Sequence, residues 1–367
     1  MTGPRYTKLI DSLPSSVPFV APEQMERDRG APFSARLGAN ENIFGPSPKA
    51  IEAMRQTAEN VWKYGEPDSY ALRHALAVHH KVRPDNVLVG EGIDGLLGYL
   101  VRLLIEPGDA VVTSDGAYPT FNYHVSGYGG TLHKVPYKDD HEDIQALINK
   151  AKSVNAKLVY FANPDNPMGT WHRGTDITAA LSELPEDCLF LLDEAYIEFA
   201  PEGTAPEICA DDPRVIRMRT FSKAYGMAGA RVGYAIGAPD LIRSFDKIRN
   251  HFGMNLLSQA GALAALQDQE WTNQTIENVS QSRKAIAEIA SHNGLNALSS
   301  AANFITVDCG ADGNFARRVL ADLLRQGTFV RMPFVAPQDR CIRISCSNER
   351  DLAHLSYALP LALKAVR

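Results

Sequence analysis

The middle of the chain alternates between short runs that are apolar at nearly every position and longer segments with helical or mixed patterning. The apolar runs are NVLVG (86–90), DAVVTS (109–114), KLVYFAN (157–163), CLFLLDEA (188–195), RVIRMRT (214–220) and RVGYAIG (231–237). Runs without polar–apolar alternation are typical of strands buried on both faces of a sheet. The pattern therefore predicts an α/β domain in which helices cover both faces of a mostly parallel sheet.

The two ends of the chain show different patterns. Residues 1–35 are rich in proline and serine and have no clear period, which predicts an extended N-terminal arm. After Pro239 a helical stretch with a break near Gly253 precedes a strand, a helix, two short strands and a last helix. We expect residues 36–250 to form a large α/β domain and residues 251–367 a smaller α+β domain, on which part of the N-terminal segment packs.

Size and composition narrow the possible functions. The chain has 367 residues, of which 45% are hydrophobic, and a net charge of −6. No block of lysine and arginine suggests a nucleic-acid groove, and no segment approaches the roughly 20 consecutive apolar residues that span a bilayer. The five cysteines form no C-x-x-C pair and have no histidine at metal-ligand spacing, which indicates reduced thiols and no metal site. We therefore expect a soluble cytoplasmic protein that binds neither nucleic acid nor a membrane.

Candidate functional residues follow the ends of the apolar runs, where open α/β sheets bind ligands. EGIDGLL (91–97) places Asp94 among glycines at a helix start, where free N–H groups bind phosphate, although such a turn is often purely structural. NPDNPMG (163–169) places Asn166 between prolines, a pattern that by itself indicates a turn. Asp193 ends an apolar strand and needs a partner, which can be the next helix, a metal ion or a protonated ring nitrogen.

Lys223 lies in TFSKAYGMAGARVG (220–233), a segment of small residues that begins at the end of the fifth apolar run. A lysine that loses solvation has a lowered pKa and becomes a nucleophile or a Schiff-base partner, whereas a lysine on a surface loop has neither role. Ser222 and Arg231 are suited to bind a phosphate. Together with Asp193 and the tyrosine and asparagine at the other strand ends, these groups match the functional groups of pyridoxal phosphate.

Recognisable motifs cover nearly the whole chain. They are LGANENIFGPSP (37–48), YGEPDSYALRHAL (64–76), GEGIDGLL (90–97), EPGDAVV (106–112), YPTF (118–121), NPDNPMG, DEAYIEF (193–199), TFSKAYGMAGARVG and CIRIS (341–345). With these motifs the chain resembles the fold-type I, pyridoxal-phosphate-dependent aminotransferases, and most of all the histidinol-phosphate aminotransferases. The resemblance implies a three-layer fold with a mostly parallel central sheet, a smaller α+β C-terminal domain, and pyridoxal 5'-phosphate as cofactor.

The resemblance also implies a set of cofactor contacts. Lys223 would form the Schiff base and move the substrate proton, Asp193 would pair with the pyridinium nitrogen, and the ring oxygen would be bound by Tyr196 and Asn166. The ring would stack on Phe121. The phosphate would be bound by Ile93, Asp94, Thr220, Ser222 and Arg231. Tyr64 would reach that phosphate from the partner subunit, so a homodimer is expected.

For the substrate, the resemblance implies that Arg343 binds a carboxylate and that Arg331 binds a phosphate or another second anion. Asn40 and Phe19 would line the same pocket. The implied reaction is amino transfer between glutamate/2-oxoglutarate and histidinol phosphate/imidazole-acetol phosphate, by a two-step aldimine mechanism.

The chain departs from the family pattern mainly around the substrate pocket. Asp165 and Met168 stand where the motif often reads N-P-N-N-P-T-G. After YPTF the family commonly shows S-M-Y, whereas this chain has Asn122, Tyr123 and His124. Two alternatives therefore stay open: an aromatic amino acid aminotransferase and a pyridoxal-phosphate-dependent decarboxylase of amino-acid phosphates. A regulatory protein that uses the cofactor as a sensor is disfavoured, because both Lys223 and Asp193 are present and no basic helix-turn-helix region is recognisable.

Overall fold

The computed structural model describes residues 3–15 and 21–366. Its α-helices are α1 Lys8–Ser12, α2 Pro22–Arg29, α3 Pro48–Thr57, α4 Tyr70–His80, α5 Gly92–Leu104, α6 Pro119–Gly127, α7 Ile144–Val154, α8 Gly174–Leu181, α9 Pro239–Ser244, α10 Leu256–Gln267, α11 Gln269–His292, α12 Gly313–Arg325 and α13 Glu349–Val366. Its strands are β1 Ala35–Arg36, β2 Val87–Gly90, β3 Ala110–Ser114, β4 Thr131–Val135, β5 Leu158–Ala162, β6 Leu189–Asp193, β7 Val215–Thr220, β8 Gly233–Gly237, β9 Asn296–Ala297, β10 Phe304–Asp308, β11 Thr328–Phe329 and β12 Cys341–Ser345.

The central sheet has seven strands in the order β2-β8-β7-β6-β5-β3-β4. β8 runs antiparallel to both of its neighbours, and the other adjacent pairs are parallel. The prediction of a mostly parallel sheet is therefore confirmed, and each apolar run contains one of its strands. β4 was not predicted, because it is an edge strand whose sequence TLHKV is largely exposed and lacks an apolar run.

Both faces of the sheet are covered by helices, which makes the three layers. Along β5, Leu158 and Tyr160 pack into an apolar cluster with α5 and α6, whereas Val159 and Phe161 pack into a second cluster with α7 and α8. Successive side chains of a strand point to opposite faces, so a strand covered on both sides must be apolar throughout. This explains why the strands appear in the sequence as unbroken apolar runs.

The C-terminal part contains a three-stranded antiparallel sheet in the order β12-β10-β9. β1 pairs in parallel with β11, which joins residues 35–36 to this part of the chain. One apolar cluster runs from Leu37 and Leu76 to Ile344 and Leu359, across the boundary proposed at residue 250. The division into domains at residues 35 and 250 stays a prediction.

The N-terminal segment is not extended throughout, which corrects the sequence-based expectation. It contains α1 and α2, and α2 begins at Pro22 and ends against Gly30 in the left-handed conformation. Proline at the first helical position and glycine after the last turn are favourable ends for a helix. Because α2 is short and mostly exposed, its apolar positions are too few to show a period.

The topology brings the functional residues together. β2, β5, β6 and β7 run in the same direction, so their carboxyl ends meet at one edge of the sheet, where β8 begins. Asp193 is the last residue of β6 and Thr220 the last of β7. Among the described helices, none is both long and apolar enough to cross a membrane.

Candidate active site

A cavity of about 350 Å³ opens at this edge of the sheet. Most of the site residues predicted from the sequence line it: Asn40, Ile93, Asp94, Asn166, Asp193, Tyr196, Thr220, Ser222, Lys223, Arg231, Arg331 and Arg343. Tyr118, Tyr160, Met332 and Phe334 also line it, although the sequence did not single them out.

Lys223 lies in the loop that follows β7, with its amine held inside the cavity. Lys223 Nζ donates a 3.0 Å hydrogen bond to the backbone carbonyl of Asn40 and lies 5.5 Å from the ring centre of Tyr196. Within residues 3–15 and 21–366, no carboxylate lies at ion-pair distance from this amine. The amine is therefore held by a neutral acceptor, which leaves it available for covalent chemistry with an aldehyde.

Asn40 is itself fixed by the surrounding side chains. It has a positive φ of 54°, and its Nδ2 donates to the hydroxyl of Tyr196 at 3.2 Å. Ser345 Oγ donates to Asn40 Oδ1 at 3.0 Å, and Asn40 N donates to the same hydroxyl at 2.9 Å. These bonds fix the carbonyl that accepts from Lys223.

Asp193 is a buried carboxylate that has hydrogen-bond donors but no cationic partner among the residues that the structure describes. Tyr160 OH donates to Asp193 Oδ2 at 2.7 Å, and the backbone N–H of Ala195 donates to Asp193 Oδ1 at 3.0 Å. Burial raises the pKa of Asp193 to about 6. Because no basic side chain in the described ranges pairs with it, the carboxylate is suited to a cationic ligand group such as a protonated ring nitrogen.

An anion-binding cradle lies at the N-terminus of α5, where the end of β2 meets the start of β8. Gly92 has a φ of +78°, and a Cβ there would lie 2.5 Å from Arg231 Nη2. A Cβ on Gly233 would lie 2.7 Å from the backbone N of Ile93. Glycine at these positions lets the guanidinium and the free backbone N–H groups approach the same space, which is what a phosphate requires.

Hydroxyl groups complete this cradle. Ser222 N donates to Thr220 Oγ1 at 3.0 Å, and Thr220 Oγ1 donates to Ser222 Oγ at 2.9 Å. Arg231 Nη1 donates to Ser222 Oγ at 3.4 Å, and Arg231 Nη2 donates to Asp94 Oδ2 at 3.4 Å. The arginine is thus held at the cavity wall, with the backbone of α5 and the two hydroxyls beside it.

Two guanidinium groups lie on another wall. Arg343 Nη1 donates to Asn166 Oδ1 at 2.5 Å, and Asn166 Nδ2 donates to the hydroxyl of Tyr196 at 3.4 Å. Burial lowers the pKa of Arg343 to about 10. Its buried Nε has no hydrogen-bond partner among the described groups, so the guanidinium has capacity left for an anion. Arg331 lies beside it, because the backbones of the two arginines form a β-bridge.

The structure corrects the prediction for Phe121. Its side chain is fully buried in the core, does not line the cavity, and stacks on Tyr160 with ring centres 4.7 Å apart and planes at 20°. The cavity aromatic is Tyr118, three residues earlier, whose hydroxyl donates to Asp94 Oδ1 at 3.0 Å. Tyr118 precedes the helix, whereas Phe121 lies inside α6 on the face that packs against the sheet.

Two further predicted residues lie elsewhere. Tyr64 is 80% exposed and contacts Phe252, with ring centres 4.8 Å apart, so it does not reach the cavity of its own chain. Its role in a partner's site stays a prediction. Phe19 lies outside the described residues.

Of the four lining residues that the sequence did not single out, Tyr118 and Tyr160 bond to predicted site residues, Asp94 and Asp193. Tyr160 is an interior residue of a fully apolar strand and therefore has the sequence signature of core packing. What places Tyr160 at the site is the pairing of β5 with β6, which puts Ala162 in register with Asp193. Tyr160 lies two residues before Ala162 and therefore on the same face of the sheet, within reach of Asp193.

The site can now be compared with known proteins. Residues 35–359 match the family described as aminotransferase class I and II. The chain is 32% identical to histidinol-phosphate aminotransferase 2 of Carboxydothermus hydrogenoformans over 97% of this chain and 99% of that protein. It is 36% identical to histidinol-phosphate aminotransferase of Anaeromyxobacter sp., over 95% of this chain and 98% of that protein.

Solved structures agree with the sequence comparisons. Histidinol-phosphate aminotransferase from Sinorhizobium meliloti, solved in complex with pyridoxal-5'-phosphate, superposes with a TM-score of 0.97 and 49% identity, covering 100% of this chain and 99% of that one. The buried cation-free Asp193, the Lys223 amine and the glycine-lined cradle all fit that cofactor. The chain therefore belongs to the class I and II aminotransferases, and it is a fold-type I transaminase that depends on pyridoxal phosphate.

Proposed function

We propose that this transaminase moves an amino group between glutamate and imidazole-acetol phosphate, with histidinol phosphate and 2-oxoglutarate as products. The observation that carries the proposal is the pair of neighbouring guanidinium groups, Arg343 and Arg331, in the cavity that also contains Lys223. Two neighbouring arginines suit either two carboxylates or one doubly charged phosphate. Glutamate carries two carboxylates and histidinol phosphate a doubly charged phosphate, whereas phenylalanine offers one singly charged carboxylate. The names and the full-length match of the relatives support the same substrate pair.

The residues that would hold the cofactor follow from the geometry of the cavity. Asp193 would keep the ring nitrogen protonated, and the hydroxyl of Tyr196 with the amide of Asn166 would bind the ring oxygen. Tyr118 would lie against the ring in the place first assigned to Phe121. The phosphate would bind the cradle: the N-terminal backbone of α5 at Ile93 and Asp94, and the side chains of Thr220, Ser222 and Arg231. When bound, pyridoxal phosphate supplies an electron sink for the negative charge that proton removal leaves on the substrate carbon.

The chain's own residues perform the proton transfer. The Lys223 amine would take the proton from the substrate carbon and return it to the acceptor position. The carbonyl of Asn40, 3.0 Å away, would hold the amine in place while it is not covalently bound. Arg343 would orient the substrate through the carboxylate of glutamate or the phosphate of histidinol phosphate, so that the bond to the proton faces the lysine.

We further propose that the protein is a homodimer. Trp62 and Tyr64 are 81% and 80% exposed, and Phe252, which contacts Tyr64, is 53% exposed. Large side chains exposed together indicate a protein–protein contact. In such a dimer Tyr64 would reach the phosphate cradle of the partner. All five cysteines are free thiols, which supports a reducing compartment such as the cytoplasm.

A second candidate function is favoured by the apolar part of the cavity. Tyr118, Met332 and Phe334 line it together, and this surface would accept the ring of an aromatic amino acid. The deciding experiment measures kcat/KM for histidinol phosphate and for phenylalanine with 2-oxoglutarate as acceptor. A higher kcat/KM for histidinol phosphate supports the proposal, and a higher kcat/KM for phenylalanine supports the aromatic aminotransferase. Release of carbon dioxide from an amino-acid phosphate would instead identify a decarboxylase.

A further inference from the structure

Two carboxyl groups lie together behind the wall of the active site. Glu142 and Asp165 are 1% and 2% exposed, and their carboxyl groups lie close enough to each other to interact. Asp165 immediately precedes Asn166, which contacts both Tyr196 and Arg343 in the cavity. The pair therefore lies directly behind a predicted cofactor contact.

The other hydrogen bonds of the pair come from neutral donors. Ser114 Oγ donates to Glu142 Oε2 at 2.8 Å, and the backbone N–H of Ala162 donates to Glu142 Oε1 at 3.3 Å. Tyr137 OH donates to Asp165 Oδ1 at 2.8 Å, and the backbone N–H of Met168 donates to Asp165 Oδ2 at 2.9 Å. In the described part of the chain, no lysine, arginine or histidine forms an ion pair with either carboxyl group.

The charged and titratable groups around the pair do not neutralise it. Arg343, on β12, lies beyond Asn166 and bonds to that side chain. The His172 ring contacts the backbone oxygen of Glu142 rather than its carboxyl, and burial lowers the pKa of His172. Asp115 adds negative charge near Tyr137. Two adjacent buried carboxylates without a cation repel each other strongly, so one of them must keep a proton.

The hydrogen bonds indicate which carboxyl keeps that proton. Burial raises the pKa of Asp165 to about 6, but its carboxyl accepts from the hydroxyl of Tyr137 and the backbone N–H of Met168, and both bonds favour its ionised form. Glu142 also has two donors, but one of them, Ala162 N, lies at the longer distance of 3.3 Å. Burial together with the charge of Asp165 raises the pKa of Glu142 well above its usual value. The proton therefore belongs on Glu142.

We propose that Glu142 stays protonated at neutral pH, donates its proton to Asp165 in a hydrogen bond, and thereby acts with Asp165 to position Asn166 in the active site. Asp165 also closes its own loop, since its backbone N–H donates to Thr170 O at 2.9 Å and its carbonyl accepts from Gly169 N at 3.1 Å. Loss of the shared proton places two like charges behind this loop and moves Asn166 away from Tyr196 and Arg343. The part played by Asn166 rests on the function proposed above, whereas the protonation of Glu142 does not.

The test is the pH dependence of unfolding of the cofactor-loaded enzyme between pH 5 and 9, for wild type and Glu142→Gln. Above a pH of about 4.3, a glutamate in the unfolded chain loses its proton. In the folded wild type, Glu142 keeps its proton. The free energy of unfolding of wild type therefore falls as pH rises, relative to that of Glu142→Gln, whose amide donates at every pH. The unfolding constant of wild type relative to Glu142→Gln should rise about tenfold per pH unit until the folded pair ionises. Glu288→Gln, at an exposed position, is the control and should follow wild type.

A second variant and a second readout complete the test. Asp165→Asn offers an amide donor to an ionised Glu142, so it should also lose the pH-dependent difference. The pH profile of kcat/KM should show an alkaline loss in wild type that is absent in Glu142→Gln, which a merely structural role would not produce.

If Glu142→Gln does not fold, the wild type and Asp165→Asn are compared by infrared spectroscopy, and a protonated carboxyl signal that disappears in Asp165→Asn supports the proposal. An unfolding constant whose pH slope is equal in wild type and the variant that folds would overturn it. If the expected pH-dependent difference in unfolding is found but the enzyme has no activity on histidinol phosphate, the substrate proposal alone is contradicted.

Discussion

The hydroxyl of Tyr160 donates a 2.7 Å hydrogen bond to Asp193 Oδ2, and the ring of the same tyrosine stacks on Phe121. Core packing therefore fixes the tyrosine, and the tyrosine fixes the carboxylate. Asp193 is held by groups whose own positions are determined by the fold, which is the arrangement that a preorganised site needs.

Removing this hydroxyl should weaken cofactor binding without unfolding the protein. A hydrogen bond to a charged group contributes about 1.5–3 kcal/mol, so Tyr160→Phe should lower the affinity for pyridoxal phosphate by roughly tenfold to a hundredfold. Equilibrium dialysis of the apoprotein measures this change. Tyr357→Phe, at an exposed position, is the matched control and should bind like wild type. An unchanged affinity in Tyr160→Phe would show that the hydroxyl does not support Asp193.

Asp193 should make the stability of the apoprotein pH-dependent. The pKa of its buried carboxyl is raised to about 6, whereas in the unfolded chain it is about 3.9. A raised acid pKa means that the folded apoprotein binds an extra proton between these two values, so its stability falls as pH rises through that window. Asp193→Asn should remove about 1 kcal/mol of the difference in unfolding free energy between pH 5 and pH 7. Urea unfolding of both apoproteins at the two pH values measures it, and equal differences would contradict the assignment.

Tyr118 and Phe121 should separate binding from stability. Phe121→Ala empties a fully buried site and should cost about 3–5 kcal/mol of unfolding free energy. Tyr118→Ala removes a side chain of the cavity wall, so it should weaken pyridoxal phosphate binding with a smaller loss of stability. Thermal unfolding and cofactor titration of the two variants measure both effects. The reverse outcome, with Phe121→Ala weakening binding and Tyr118→Ala unfolding the protein, would restore the original assignment.

The two arginines should differ in the substrates that they affect. Arg343→Ala removes a charge-assisted pair with the carboxylate of glutamate or phenylalanine, or with the phosphate that replaces it in histidinol phosphate, which predicts an increase of KM for every amino donor, by roughly tenfold to a hundredfold. Arg331→Ala should raise KM for histidinol phosphate far more than KM for phenylalanine, because a doubly charged phosphate can pair with both guanidinium groups, whereas a single carboxylate is bound by Arg343 alone. Steady-state kinetics with both donors test this difference. Equal effects of Arg331→Ala on both donors would remove it from the phosphate site.

The sequence predicted well what a buried parallel sheet imposes on it. The apolar runs located the strands, and polar residues at the strand ends, such as Asp193, identified the active-site edge. What the sequence missed lies where two roles give the same pattern. Tyr160 is apolar core by its position in β5 and is a site residue by its hydroxyl. Tyr118 and Phe121 are aromatic residues three positions apart, but Tyr118 lies just before α6 and Phe121 lies inside it.

One charged segment contains a buried residue that its composition does not indicate. KDDHEDIQ (138–145) has the composition of a solvated segment, yet Glu142 within it is buried. Only the packing of the turn before α7 against β3 and β5 explains this burial, through the bonds to Ser114 and Ala162. Contacts between segments that are distant in sequence are absent from any local pattern.

The most direct test of the central claim is a single half-reaction without an acceptor. Holoenzyme is mixed with histidinol phosphate, phenylalanine or glutamate, and the visible absorption of the bound cofactor is recorded with the amount of oxo product per active site. We predict that histidinol phosphate bleaches the absorption at far lower concentration than phenylalanine and yields one imidazole-acetol phosphate per site, and that Lys223→Ala shows no such reaction whereas Lys284→Ala, at an exposed position, does. Bleaching by phenylalanine at the lower concentration, or turnover in Lys223→Ala, would contradict the account.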